Sequence, residues 1–383
     1  MLEVAFWCLL LLGVYPYAIY PVLASGVGRL RRRVVHSDDA YLPFVTVITA
    51  AYNEIRHMES TIRNKLAQDY PAERLEIIVI SDASDDGTDA VVQRLAAAHP
   101  NVILLRNEPR QGKTAALNMA VPRARGEIVV FADANSIYRP DTIRKLVRNF
   151  ADPEVGYVTG KMLYANPDGS LVGDGCSAFM RHENALRVAE TALGSVVGVD
   201  GGVDALRKTL YRHMNADQLP DFVQPLDVVA QGYRVVHEPL AVLTEETLTT
   251  QSSEYRMRVR VALRALWALW DRRVLLNPFR SGIFAWQLWS HKLLRYMSFA
   301  PLAAAMVLNW QLLQHGPIYV LGAVGQVLFA LFVLFAWVGP SALGRFALSR
   351  YCMYFALLNF ASAVAFVRFV RGQKQVLWQP RTG

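Results

Sequence analysis

"LEIIVISDASDDGT", Leu75–Thr88, joins two stretches of opposite character. Its first half is a short β-branched run with Glu76 as the one charge, the pattern of a buried strand. Its second half is almost all oxygen-bearing side chains, with Asp82 directly after Ser81 and then Asp85 and Asp86. A buried strand that ends in carboxylates belongs to a sheet that works at its edge.

The same arrangement repeats on both sides. "FVTVITA" reads as a strand and Glu54 to Gln68 as a helix; after the opening stretch, Asp86 to Ala98 is a helix, "NVILLRN" a strand, Gly112 to Arg123 a helix and "EIVVFAD" a strand. Short apolar runs alternating with helices indicate an α/β fold with a mostly parallel sheet and crossover helices. Ligands of open sheets of this kind bind at the carboxyl ends of the strands. Those ends carry Ala51, Tyr52, Asn53 and Glu54; Asp82, Asp85 and Asp86; Lys113 at a helix start; and Asp133 and Asn135 around a single Ala134. Any one of them is an ordinary helix cap. Four in succession converge on one crevice and point to a nucleotide-type site.

Two nucleotide chemistries are excluded by spacing. "QGKT" (Gln111–Thr114) lacks the first glycine of a P-loop, Asn107 standing in its place, and no G-x-G-x-x-G follows the first strand. An acid, a one-residue gap and a second oxygen ligand suit a hard divalent cation, Mg²⁺ or Mn²⁺, held with substrate phosphates. Asp133 and Asn135 are its expected ligands.

Together "AAYNE", "SDASDDGT", "GKTAALN", "FADAN", "GVDGGVDALRKTLY" and "DFVQPLDVVAQGYRVVHEPLAV" resemble a membrane-anchored family 2 glycosyltransferase over roughly Val45 to Glu245, similar to bacterial exopolysaccharide and poly-N-acetylglucosamine synthase-type enzymes. The resemblance implies a GT-A (Rossmann-like) catalytic domain, a nucleotide-sugar donor such as a UDP-sugar, and inversion at the anomeric carbon. It places Ala51, Tyr52, Glu54 and Asp82 around the nucleoside, with Asp82 on the uracil edge, Lys113 on the diphosphate, and Asp133 on ribose or metal. It makes Asp221 of "LPDFVQPL" the general base, with Asp217 and Asp227 as rivals.

The chain departs from that family at three places. Ala50 replaces a proline, Asn135 replaces a second Asp, and "RMRVRV" (Arg256–Val261) keeps only Arg260 of the QxxRW signature of chain-polymerising members. Arg260 is therefore the residue expected on the acceptor or diphosphate side.

The 383 residues have a net charge of +8 and are 53% apolar, with mean hydropathy of +0.20. Basic residues beside apolar segments argue for membrane lipid and against nucleic acid. The three cysteines are scattered and show neither a disulfide framework nor a zinc site. Val4 to Val27 is uncharged and followed by "RLRRR", a retained anchor with its end in the cytoplasm. Three further uncharged runs follow Ser298, so four spans are expected, an arrangement that puts the basic tail on the wrong side for the positive-inside tendency. "FAWQLWSHKLLRYM" places Trp286, Trp289 and Leu293 on one face and Gln287, His291 and Arg295 on another, which suits a helix lying in the interface.

The expected organisation is an anchor (1–28), a GT-A domain (40–250), a basic linker with an interfacial helix (251–296), C-terminal transmembrane helices (297–371) and a basic tail (372–383). The expected function is sugar transfer at the cytoplasmic face of the inner membrane to a lipid-linked or glycan acceptor, with other polysaccharide-synthesis proteins as further partners. A processive synthase is the alternative within the class. A transporter with a nucleotide-binding domain is the distant one; against it, no charge interrupts the four apolar runs.

Overall fold

The computed structural model describes residues 1–165, 171–246, 251–338 and 346–375. One eight-stranded sheet, in the order β3-β2-β1-β4-β7-β6-β8-β5, organises the domain. Its strands are β1 (Val45–Ala51), β2 (Leu75–Asp82), β3 (Val102–Asn107), β4 (Ile128–Asp133), β5 (Ile137–Tyr138), β6 (Val155–Ala165), β7 (Asp204–Arg207) and β8 (Arg234–Glu246). The first four are parallel neighbours joined by crossover helices α2 (Ile55–Leu66), α3 (Thr88–Ala98) and α4 (Lys113–Arg123). These agree with the expected elements to within two residues.

Register explains where the polar ends fall. Ala50 pairs with Asp133 and Ala51 with Ser81, while Asp82 pairs with Asn107. Asp82 and Asp133 therefore leave the sheet on either side of the β1 end. β7 enters antiparallel beside β4, Asp204 opposite Phe131, which carries the preceding "DGG" turn back past Asp133. Helix α5 (Thr142–Val147) covers one sheet face with α2, burying Met58, Ile62, Ile143 and Leu146. The other face is covered by α4 and α7 (Pro220–Ala230), which bury Leu117, Val121 and Val228. α6 (Leu171–Leu193) packs on β6 and β8. Each such aliphatic side chain contributes about 1.5–3 kcal/mol on burial.

Outside the sheet, α1 (Leu2–Arg31) packs against a helical run spanning 283–311 (α9) that is wound more widely at Trp289–Leu293. Tyr15 accepts from Trp286 Nε1 at 2.9 Å, and Phe6 packs on Ala305. The expected basic linker is instead helical: α8 (Gln251–Asp271) buries Ala265, Ala268 and Leu269 against Phe222 and Leu226 of α7. Its charges are spread around the helix, and two of them, Glu254 and Arg264, are buried with partners beside the packed alanines and leucines. The interface-type helix also differs from expectation. Gln287 and His291 are fully buried towards the domain, since the amide donates to Ser195 O (2.9 Å) and the imidazole lies between Glu183 and Glu190.

Among the described residues three helices are long and apolar enough to cross a membrane: α1, α10 (Pro317–Val338) and the stretch Leu348–Val370 of α11 (Ala347–Val370). The expected fourth run, after Ser298, is the last part of α9. α11 takes an oblique course. Phe355 meets Tyr17 and Phe366 meets Phe299. These contacts are about 16 Å apart along α11. Arg295, one turn before Phe299, sits 5.5 Å over Tyr17, so the two partners are near neighbours. α11 also runs along α8, with Tyr255 on Phe360 and Trp267 on Phe369.

Candidate active site

The crevice lies at the ends of β1, β2 and β4. Asp133, the last residue of β4, is held from below by α2. Thr61 Oγ1 donates to Ala134 O (2.6 Å), and the Lys65 ammonium donates to Ser136 O (2.6 Å) beneath the Tyr138 ring. Lys65 is fully buried, and burial lowers its pKa to about 7 against the opposing pull of Asp133. Tyr138 in turn donates to Gly202 O at 2.7 Å. The turn that follows Asp133 is thus fixed on two sides.

Lys113 begins α4 and reaches both acids of the site. Its Nζ lies 2.8 Å from Asp133 Oδ1 and 3.5 Å from Asp221 Oδ1. Burial opposes its charge, but the attraction of Asp133 and Asp221 prevails and raises its pKa. Asp221 stands in the first turn of α7 and keeps about a quarter of its side-chain surface exposed (27%). Its rivals are engaged elsewhere: Asp217 pairs with Lys374 at 2.5 Å, and Asp227 takes a two-pronged bond from Arg272 at 2.9 Å.

The "DGG" turn separates the two carboxylates. A Cβ on Gly201 (φ +82°) would run into the Asp221 carboxylate, and one on Gly202 would stand 3.3 Å from Asp133 Oδ2. Glycine at 201 is required to clear the Asp221 carboxylate, and glycine at 202 leaves room beside Asp133 Oδ2. Asp204, directly after this turn and Val203, is fully buried and accepts from Gly201 N at 2.7 Å. Burial, then the nearby charges of Asp221 and Asp200, raise its carboxyl to about 7.

Asp82 is fully buried, and it organises the loop leading to Lys113. It accepts from Gln111 N (2.9 Å), Gly112 N (2.8 Å) and Asn107 Nδ2 (3.2 Å). Arg110 stacks 3.5 Å over the Tyr52 ring. Glu54 N donates to Thr88 Oγ1, and Asn53, at φ +55°, exchanges two hydrogen bonds with Asp85. The Ala51 side chain belongs to the core, so its backbone alone adjoins the crevice. Asn135 donates from Nδ2 to Glu245 Oε1 at 2.9 Å. Arg260 lies on α8, near enough for its charge to help burial lower the pKa of Arg264 to about 10.

Arg264, Lys65, Asp204 and Glu245 were not among the expected site residues. Arg264 donates to Asp217 O (3.0 Å) and to Gln218 O, and Thr114 Oγ1 also donates to Gln218 O (2.9 Å). The approach to Asp221 is thereby tied to the start of α4. The spacing of a lysine in α2 or an arginine in α8 gives no sequence signal for such roles; the adjacent glycines of "VDGGVD" do.

Among the described residues no group of three or more His, Cys, Asp or Glu side chains could hold a metal. Asp133 is 30% exposed and its Oδ2 faces the space that Gly202 leaves open. That donor set fits a hard cation whose remaining ligands are substrate oxygens.

Residues 46–185 match the family described as glycosyl transferase family 2. The poly-beta-1,6-N-acetyl-D-glucosamine synthase of Staphylococcus aureus is 28% identical over 242 residues, 62% of this chain and 57% of that protein. Glycosyltransferase AglE of Haloferax volcanii is 27% identical over 158 residues, 41% of this chain and 52% of AglE. The chain thus spans little more than half the length of these curated relatives. The mannosyltransferase PcManGT of Pyrobaculum calidifontis, solved with GDP-Man and Mn²⁺, superposes with a TM-score of 0.75 at 25% identity, covering 97% of this chain and all of that one.

Proposed function

We propose that this chain, which carries a family 2 glycosyltransferase domain at residues 46–185, moves a sugar from a nucleoside-diphosphate donor to a membrane-associated, lipid-linked acceptor with inversion. The observation that carries this reading is Lys113 standing between Asp133 and Asp221 at the ends of parallel strands.

The donor diphosphate would lie along Lys113 and Asp133, with the nucleoside towards Tyr52, Glu54 and Asp82. A divalent cation on Asp133, with Asn135 beside it, would neutralise charge on the leaving phosphate. Lys113 donates to the same developing charge without needing to reorganise. Asp221, on the other side of the glycine turn, takes the proton of the acceptor hydroxyl as its oxygen attacks the anomeric carbon. The new C–O bond forms as the bond to phosphate breaks, and one displacement inverts the centre. Arg264 and Thr114 hold the segment before Asp221 in place, and Arg260 faces the acceptor side.

The bundle suggests three crossings: α1, the last part of α9, and α10. α11, sandwiched between α8 and the bundle, would lie along the cytoplasmic surface. The basic tail then stays on the cytoplasmic side with the domain, as charge bias favours. Missing the Gln and Trp of the processivity signature, the enzyme would release a short product.

The test is to reconstitute the protein in lipid nanodiscs and screen UDP- and GDP-sugars for nucleotide release with and without lipid extract. UDP is the nucleotide implied by the family resemblance, and PcManGT is bound to GDP-Man. Release from no nucleotide sugar would refute the reading, and a long homopolymer would favour a processive synthase.

A further inference from the structure

We propose that a cationic cavity at the junction of the domain with the bundle holds the phosphate of the lipid-linked acceptor. This rests on the transferase reading above and names how its acceptor is recognised.

The cavity measures about 80 Å³ and is walled by α1, α6, α8, α9 and α11. Three of its lining side chains are cationic, Arg258, Lys292 and Arg295, against one carboxylate, Glu183. Two of the cations are held rigidly. Arg258 is bonded to Glu254 (2.7 Å) and Tyr354 (2.6 Å), Arg295 to Glu183 (2.5 Å), and both guanidiniums lie over the Phe179 ring. Lys292 makes no ion pair among the described residues. Burial is the largest influence on it and lowers its pKa to about 8. Arg258 and Arg295 already have carboxylate partners, Glu254 and Glu183, so the cost falls on Lys292, whose charge is unfavourable here unless an anion enters the cavity.

Position selects the anion. Tyr17 and Leu358 bring the apolar anchor and the apolar C-terminal helix into its lining, so a phosphate here would have its hydrocarbon chain beside both helices. The inner end is Lys292, which fills the space beside Gly198 and lies 5.7 Å from the Phe222 ring, next to Asp221. The volume admits a phosphate and not a nucleotide, which separates this cavity from the donor crevice. Paired guanidiniums suit phosphate oxygens. A phosphate seated here would hold its lipid at the membrane rim and direct the attached sugar past Lys292 towards Asp221.

The probe is a synthetic isoprenyl monophosphate in phosphatidylcholine nanodiscs, with its binding read by native mass spectrometry. Wild-type protein should bind it and be inhibited by it in transfer. Lys292→Met should weaken binding by at least about tenfold, the loss of one charged contact, while nucleotide-sugar affinity is unchanged. Should Lys292→Met fail to fold, Ser362→Leu, which fills the cavity from α11, must give the same loss. Equal binding of uncharged isoprenol, of inorganic phosphate alone, or of phosphatidylglycerol would overturn the assignment, as would unaltered binding by the variants. Normal donor binding without isoprenyl phosphate binding would sink this proposal alone; the reverse would sink the transferase reading and leave the cavity.

Discussion

The Lys113 ammonium lies 3.5 Å from a carboxylate oxygen of Asp221, although the two residues are 108 positions apart. The contact joins the start of α4 to the start of α7. On the reading proposed above, a diphosphate arriving at Lys113 would compete with Asp221 for its protons and so free the carboxylate for the acceptor hydroxyl.

Asp221→Asn keeps the shape and removes the proton acceptor. Transfer should fall by about 10²–10⁴-fold, with donor affinity by calorimetry within about twofold of wild type. Asp217→Asn and Asp227→Asn should retain transfer, since those carboxylates hold Lys374 and Arg272. Collapse in either of them, with near-normal transfer by Asp221→Asn, would move the base.

Asp82→Asn exchanges an acceptor of two backbone N–H groups for an amide that can satisfy only part of the set. The loop carrying Arg110 and Lys113 should loosen, and donor binding should weaken by roughly 1.5–3 kcal/mol. Hydrogen exchange at Gln111 and Gly112 should rise in the same variant even without donor. Protection unchanged there, with weaker donor binding, would assign Asp82 to the nucleoside alone.

Chelation should stop nucleotide release, and Mn²⁺ or Mg²⁺ should restore it. The neighbourhood of Asn135 explains why an amide suits this position: its N–H₂ faces Glu245 at 2.9 Å. Asn135→Asp would set two carboxylates against each other. Its stability in chelator should drop by about 1–3 kcal/mol, recovered on adding Mn²⁺. A melting temperature indifferent to metal would remove residue 135 from the cation's surroundings.

Asp204 sets a pH dependence of stability. Burial holds its carboxyl up to about 7, against an ordinary value of 3.8. Between those values the folded protein keeps a proton that the unfolded chain releases. The contribution is therefore full below about pH 4 and is lost as pH rises through about 7, by at most about 1.4 kcal/mol per unit. Asp204→Asn should flatten that slope in thermal melts between about pH 5 and pH 8; an unchanged slope would mean that Asp204 is ionised throughout.

Much of the parallel half-sheet was legible because its signals are local. "LEIIVIS" and "EIVVFAD" announce buried strands by composition, and the acids that end them announce the crevice. The antiparallel half was not, since β7 is four residues long and owes its place to pairing with β4 and β6 rather than to its own pattern. Lys65 reads as a solvated helix residue until Ser136 O and the Tyr138 ring are brought over it. Hydropathy alone also could not tell that Ala361 and Ala365 of α11 pack on α8. An apolar stripe facing protein and one facing lipid are written in the same residues.

The attachment of α11 to the domain has a mechanical result. Trp267 donates to Gln373 O (2.9 Å) beyond the end of that helix, Lys374 reaches Asp217, and at the other end of the chain Arg33 is bonded to Glu154 (2.9 Å) and to Ala192 O (3.0 Å). A domain held to its helices from both sides would not swing on a tether as a linker-borne enzyme does. On the transferase reading its reach above the bilayer would be set by the fold, and acceptors would be sorted by the height at which their hydroxyl stands.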